Sequence, residues 1–189
     1  MIRRNDGFTL IELLITVAVG AIITVIALPS YRTTIDSSNV ASEINALQMD
    51  LTNARMEAIK QGINVLVCSS SNGLTCTGAS PWTTGWITMI PASGTCTVAS
   101  GTSALNNTPL RVHAAVATGD AVTFVPTSPN TSQAICFSRL GTGSIGTFRI
   151  VSSKGSTAPN QFNDQCLFVT GFGLPHLIAY GKTDSIGTC

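Results

Sequence analysis

Between Phe8 and Leu28 the chain carries 21 residues and a single charge, the carboxylate of Glu12. A charge near a bilayer centre costs a few kcal/mol and less near the edge, so the plain reading of Glu12 is a side chain reaching back to polar surroundings. The second set of reactive groups is six cysteines, Cys68, Cys76, Cys96, Cys136, Cys166 and Cys189, all beyond the apolar stretch. An even number confined to one side suggests disulfides formed in an oxidising compartment. Metal binding fits less well: no CxxC pair exists, and His113 and His176 are not spaced with the cysteines. Fifteen pairings are possible. Cys68 with Cys76 would close a short turn around Ser-Asn-Gly, Cys166 with Cys189 would tether the C-terminal tail, and Cys96 with Cys136 is what then remains. A hydrolase needs a nucleophile, a base and an orienting acid. His113 lies in an apolar strand pattern, His176 follows Pro175, and no GxSxG or phosphate-binding glycine loop is present. Thr142-Gly143-Ser144-Ile145-Gly146 reads as a hairpin turn. Neither an enzyme, nor a cofactor, nor a metal site is expected.

The elements that carry these residues follow from patterning. Residues 1–7 form a short polar leader with Arg3, Arg4 and Asp6. Residues 8–29, closed by Pro29, are long enough as a helix to cross the roughly 30 Å of a bilayer's hydrocarbon core once. The two leading arginines favour a cytoplasmic N-terminus. Residues 30–62 continue the helix: Val40, Ile44, Leu47, Leu51, Ala54 and Ala58 recur at alternating spacings of four and three, which is one apolar stripe. Asp36, Glu43, Asp50, Arg55, Glu57 and Lys60 fall mostly off that stripe, and Gly62 is placed to cap the helix. Proline removes one backbone hydrogen bond, so Pro29 marks a weak point in an otherwise continuous helix.

Residues 63–189 alternate short apolar runs with Gly, Pro, Ser, Asn and Thr. Strands are expected at Ile63–Cys68, Trp82–Ile90, Leu110–Ala117, Ala121–Val125, Ala134–Ser138, Thr147–Ser152, Gln165–Thr170 and Leu177–Tyr180. The fold class is α+β: a long N-terminal helix, transmembrane in its first half and amphipathic in its second, packed on an antiparallel β-sheet head. This head holds five basic side chains and three acidic ones in a chain of net charge +1. So few charges make a poor electrostatic binder of nucleic acid.

Gly7-Phe8-Thr9-Leu10-Ile11-Glu12, the apolar run behind it and Pro29 resemble the N-terminus of type IV pilins and type II secretion pseudopilins. The resemblance implies that a prepilin peptidase cuts between Gly7 and Phe8. It implies that Phe8 becomes the N-methylated first residue, and that Glu12 pairs with the N-terminal amine of a neighbouring subunit in a filament core. An amine and a carboxylate are each costly to bury alone and offset one another when paired. Pro29 then sits where the family kinks its helix. In the head, Arg55-x-x-Ala58-x-x-x-Gly62, Gly85-Trp86, Leu110 to Ala115 and Cys136 to Ile150 resemble the FimT/FimU and GspH group. That group implies a minor pilin of a type IV pilus acting in assembly or initiation, or the pseudopilin of a type II secretion system. It implies a pilin-like fold, other pilins or pseudopilins as partners through the N-terminal helix, and residence in the bacterial inner membrane with the head in the periplasm before entry into the filament. Some FimT-like proteins bind DNA for natural transformation through a G-R-x-R phrase. The corresponding stretch here, Thr170 to His176, has neither arginine. Only Arg139, Arg149 and Lys154 remain as candidates for a weak nucleic-acid contact.

Overall fold

A computed structural model of the chain describes residues 8–127, 132–152 and 164–179, without the side chains of 26–33 and Ala179. The chain divides into two compact units, Met1–Ile35 and Asp36–Cys189, and one helix, α1 (Leu10–Gln61), contributes to both. Its backbone runs through position 29 without interruption.

In the first unit α1 is apolar and solvent-exposed on all its described faces. Two hydroxyls in this run are satisfied by their own helix: Thr16 Oγ1 donates to the Leu13 carbonyl at 2.9 Å and Thr24 Oγ1 to the Gly20 carbonyl at 2.7 Å. Among the described residues no helix is long and apolar enough to cross a membrane. The stretch expected to do so, Phe8–Leu28, has described side chains only as far as Val25.

In the second unit the expected stripe is the floor of the core. Val40, Ile44, Leu47, Leu51, Ala54 and Ala58 are all at most 1% exposed. The helix stops at Gln61, where the Gly62 and Ile63 amides both donate to the Ala58 carbonyl. Eight strands follow: β1 (Val65–Ser69), β2 (Trp86–Met89), β3 (Arg111–His113), β4 (Ala121–Pro126), β5 (Ala134–Phe137), β6 (Gly146–Val151), β7 (Gln165–Val169) and β8 (Pro175–Ala179). Every pairing is antiparallel. The strands form two four-stranded sheets, in the orders β3-β2-β1-β5 and β4-β6-β7-β8. Val65, Val67, Trp86, Ile135 and Phe137 of the first sheet and Val122, Phe124, Phe148, Ile150, Leu167 and Val169 of the second meet the helix stripe in one core.

Two strands fall well short of their patterns. Trp82 lies outside β2: it is fully buried against Phe124 and Phe148, at 5.8 and 4.7 Å between ring centroids, and the chain turns at Thr83 and Thr84 before the strand begins. β3 ends at His113 because the chain leaves the sheet edge there. The Val116 amide donates to the Thr83 carbonyl, which drops Val116 into the core.

Among the described residues no α-helix covers the outer face of the first sheet. Leu66, Cys68, Ile87, Met89, Ala134 and Cys136 form a second buried cluster there with Cys76 and Ala104. The loop that covers it, 90–110, is pinned by a disulfide from Cys96 to Cys136 on β5, and a second disulfide joins Cys68 to Cys76. Cys166 is also disulfide-bonded. Its expected partner, Cys189, lies outside the described residues.

Leu47→Ala should lower the unfolding free energy by about 2–5 kcal/mol, since it opens a cavity where both sheets rest on the helix. Thr52→Ala, on the exposed side of the same helix, should change it by less than about 0.5 kcal/mol. Urea unfolding of the two variants measures the contrast, and equal midpoints would show that the stripe is not the floor of the core.

Candidate assembly site

Phe8 opens the described chain as an exposed residue and Gly7 lies outside it. Leu10 begins the helix, so Thr9 is the N-cap and Glu12 the third helical residue. Thr9 Oγ1 accepts the Glu12 amide at 3.3 Å, the Ser/Thr-x-x-Glu arrangement of a helix start. This position also sets a carboxylate in the first turn, where the helix dipole favours it. The Glu12 side chain is exposed amid exposed Leu10, Ile11, Leu13 and Ile15, and no cation pairs with it among the described residues. A negative charge is therefore presented on an otherwise apolar surface. The signal for this capping role is the phrase Thr9-Leu10-Ile11-Glu12 itself, which the apolar run around it masks.

In the head, three charges that lie off the apolar stripe turn inward. Asp50 is only 4% exposed. Its Oδ2 accepts the Trp86 indole N–H at 2.9 Å, and its Oδ1 lies 3.0 Å from Arg111 Nε. Glu43 Oε2 stands 3.7 Å from His113 Nε2. His113 Nδ1 donates to the Ala114 carbonyl at 2.9 Å, which orients the ring, and the ring stacks on Trp86 at 3.8 Å. Burial pushes the Glu43 carboxyl above its ordinary value of 4.5; His113 opposes that shift and Asp120 adds to it. Arg55, the third charge, donates from Nε to the Gly141 carbonyl at 2.9 Å. Together these side chains lock α1 to β2, β3 and the turn after β5. The missed signal is the buried indole: a Trp N–H inside a core needs an acceptor, and Asp50 lies one position from stripe residue Leu51.

The nucleic-acid candidates do not gain support. Arg149 Nη2 is held by the buried Asp164 at 3.0 Å, so its charge is offset within the protein. Arg139 is exposed in the turn after β5, and Lys154 lies outside the described residues. The stretch Thr170–His176 forms the β7–β8 turn and the start of β8, and it exposes Phe172 and Leu174. Among the described residues no three His, Cys, Asp or Glu side chains are placed to hold a metal ion.

A long helix whose apolar stripe floors two antiparallel sheets, behind an apolar N-terminal run with one carboxylate in its first turn, defines a pilin-like protein. A family model described as the prokaryotic N-terminal methylation motif matches residues 2–28. A second, described as Type II transport protein GspH, matches residues 43–163, and the chain belongs to this GspH family. Among solved structures, the minor pseudopilin EpsH of the Vibrio cholerae type 2 secretion system is 16% identical at a TM-score of 0.50, over 76% of this chain and 99% of that one. The type IV minor pilin FimU of Pseudomonas aeruginosa strain PAO1 is 23% identical at a TM-score of 0.48, over 77% of this chain and 92% of that one. At such identity the EpsH likeness speaks for the fold alone. Comparison with curated proteins gave no significant match.

Two expectations follow for the inward-facing charges. Asp50→Ala should cost about 1–3 kcal/mol, because it orphans the buried Trp86 N–H. Arg111→Ala should also destabilise, since it leaves the buried Asp50 carboxylate without its cation although the guanidinium itself is half exposed. No loss from either variant in urea unfolding would contradict the account. For Glu43 the folded protein binds the proton more tightly than the unfolded chain does. The stability advantage of the protonated form is therefore present at low pH and is lost as pH rises from 4.5 through the raised folded value. Glu43→Gln should then gain on the wild type as pH rises across that window. A difference independent of pH would remove the burial argument.

Proposed function

We propose that the chain is a minor pilin of a type IV pilus, processed by a prepilin peptidase between Gly7 and Phe8 and incorporated during pilus assembly or initiation. The observation that carries this reading is the match of the N-terminal methylation motif to residues 2–28, with Glu12 exposed and without a cation in the first turn of α1. Before assembly the apolar half of the helix holds the protein in the bacterial inner membrane in a single pass, with the head in the periplasm. The three disulfide-bonded segments of the head suit that compartment. Extraction into a filament brings the methylated amine of a neighbouring subunit against Glu12, and α1 becomes part of the filament core, with Pro29 as its point of adjustment. Other pilins are the partners, and no cofactor is required.

A second reading, the pseudopilin of a type II secretion system, draws support from the description of the family that covers residues 43–163. The physics of processing and assembly is the same, and the client differs. Loss of the gene should abolish surface pili under the first reading and secretion of folded periplasmic proteins under the second.

Mass spectrometry of the mature protein should find an N-terminus at methylated Phe8. A mature chain that begins elsewhere would refute the processing step. Glu12→Ala should still insert in the membrane but should enter filaments poorly. Normal incorporation of that variant would take the assembly role away from Glu12.

A further inference from the structure

The two turns at the C-terminal end of α1 form one exposed crest. In the first, residues 138–142, the Ser138 amide donates to the Thr142 carbonyl and the Gly141 amide to the Ser138 carbonyl, both at 2.8 Å. In the second, residues 170–174, the Gly173 amide donates to the Thr170 carbonyl at 2.8 Å. The turns are stitched together by the Gly143 amide, which donates to the Gly171 carbonyl at 3.0 Å, and to the helix by Arg55 on the Gly141 carbonyl. Gly141 and Gly173 have φ of +77° and +72°. A Cβ on Gly173 would lie 2.6 Å from the Gly141 carbonyl oxygen, and one on Gly141 would lie 2.8 Å from Ile59 Cδ1. Close approach is thus built in, and the crest is a fixed surface rather than two loose tips.

What this fixed surface presents is apolar. Leu140 is 79% exposed and Phe172 76%, with Leu174 and Ile59 also exposed. Beside Leu140 opens a cleft of about 530 Å³ bordered by Ile63, Ile90, Leu105 and Arg139. Arg139 has no carboxylate partner among the described residues. Apolar side chains held rigidly in water, with a shaped cleft beside Leu140, mark a contact surface.

Charge selects the occupant. Among the described residues from Asp36 onward no carboxylate is exposed: Asp36, Glu43 and Glu57 are half-buried, and Asp50, Asp120 and Asp164 are buried. The exposed cations among these residues are Lys60, Arg111 and Arg139, and the first two are paired with Glu57 and Asp50. Among its described residues a second copy of this head therefore offers Arg139 no exposed carboxylate. Nucleic acid needs several free cations and gains nothing from Leu140 and Phe172. We propose that the crest and cleft dock a different protein chain, one that seats an apolar side chain between Leu140 and Phe172 and sets an adjacent carboxylate against Arg139. This contact is separate from the N-terminal helix and goes beyond the processing and helix pairing of the proposed function.

The test places a photo-cross-linking amino acid at Phe172 of the full chain, and at Ile15 in a second version, in the cells that make the protein. The expected product at position 172 is a different protein, cross-linked within a peptide that pairs an apolar side chain with Asp or Glu. Arg139→Glu should reduce that product about tenfold, and exchange of the partner's acid for Lys should restore it. A product containing a second copy of this chain or nucleic acid overturns the proposal. So does loss of any product at position 172 while the Ile15 product persists, and so does indifference to Arg139→Glu. Loss of the Ile15 product alone overturns the filament reading and leaves the docking surface standing.

Discussion

One stripe of six side chains on α1, from Val40 to Ala58, is the constraint on which the head depends. Each sheet has an inner face that must be covered, and both faces rest on the same helix in a single core. Neither sheet has another apolar floor among the described residues. The stripe also tapers: Leu47 and Leu51 give way to Ala54 and Ala58 toward the helix C-terminus. Close packing leaves no room to spare in a core, so smaller side chains on the floor let the neighbouring backbone come nearer. That is the end at which Arg55 reaches the Gly141 carbonyl and the crest turns sit on the last turns of α1.

A helix shared by two sheets needs its rotation fixed, because apolar contacts are nondirectional. The carboxylates of Glu43 and Asp50 supply direction. They lie seven residues apart, two helical turns, and both face β3. Asp50 engages Trp86 and Arg111, while Glu43 meets His113, whose ring stacks on the same Trp86. Rotation of the helix would leave several of these buried groups without partners at once, which is costly in a low-dielectric surrounding. On the opposite side of the first sheet a loop replaces the missing layer. A disulfide between residues 40 positions apart restricts that loop in the unfolded chain and holds it over the sheet in the folded one.

The elements were legible in the sequence to different depths. The stripe follows from period, the first half of the helix from its apolar run and the cap from the glycine at 62, and all eight strands fall within or overlap the expected runs. How the strands divide was not legible, because alternation marks a strand without naming its neighbour. Trp82 was assigned to a strand on its apolar context, yet its indole needs the depth between Phe124 and Phe148. Position off the stripe hides Glu43 and Asp50, each of which points inward, because apolar period carries no sign of a polar partner. Turns were treated as connectors, so the joining of residues 138–142 to 170–174 could not be seen. At the N-terminus the apolar run obscured Thr9, whose hydroxyl defines where the helix begins.

These observations meet in the placement of negative charge. Every described carboxylate from Asp36 onward is buried or half-buried, and Asp50, Glu57 and Asp164 lie beside a cation of the same head. Glu12 is the single exposed carboxylate among the described residues, and its neighbours are Leu10, Ile11, Leu13 and Ile15. An ion in that setting loses hydration whenever the surrounding apolar surface is covered, by lipid or by protein, and the loss is offset only if a cation arrives with the cover. Lipid tails bring none. A second helix that begins with a free amine brings one positive charge at the same depth as its own first turn. Among the described residues, Asp50, Glu57 and Asp164 thus have a cation within the head, whereas Glu12 has none.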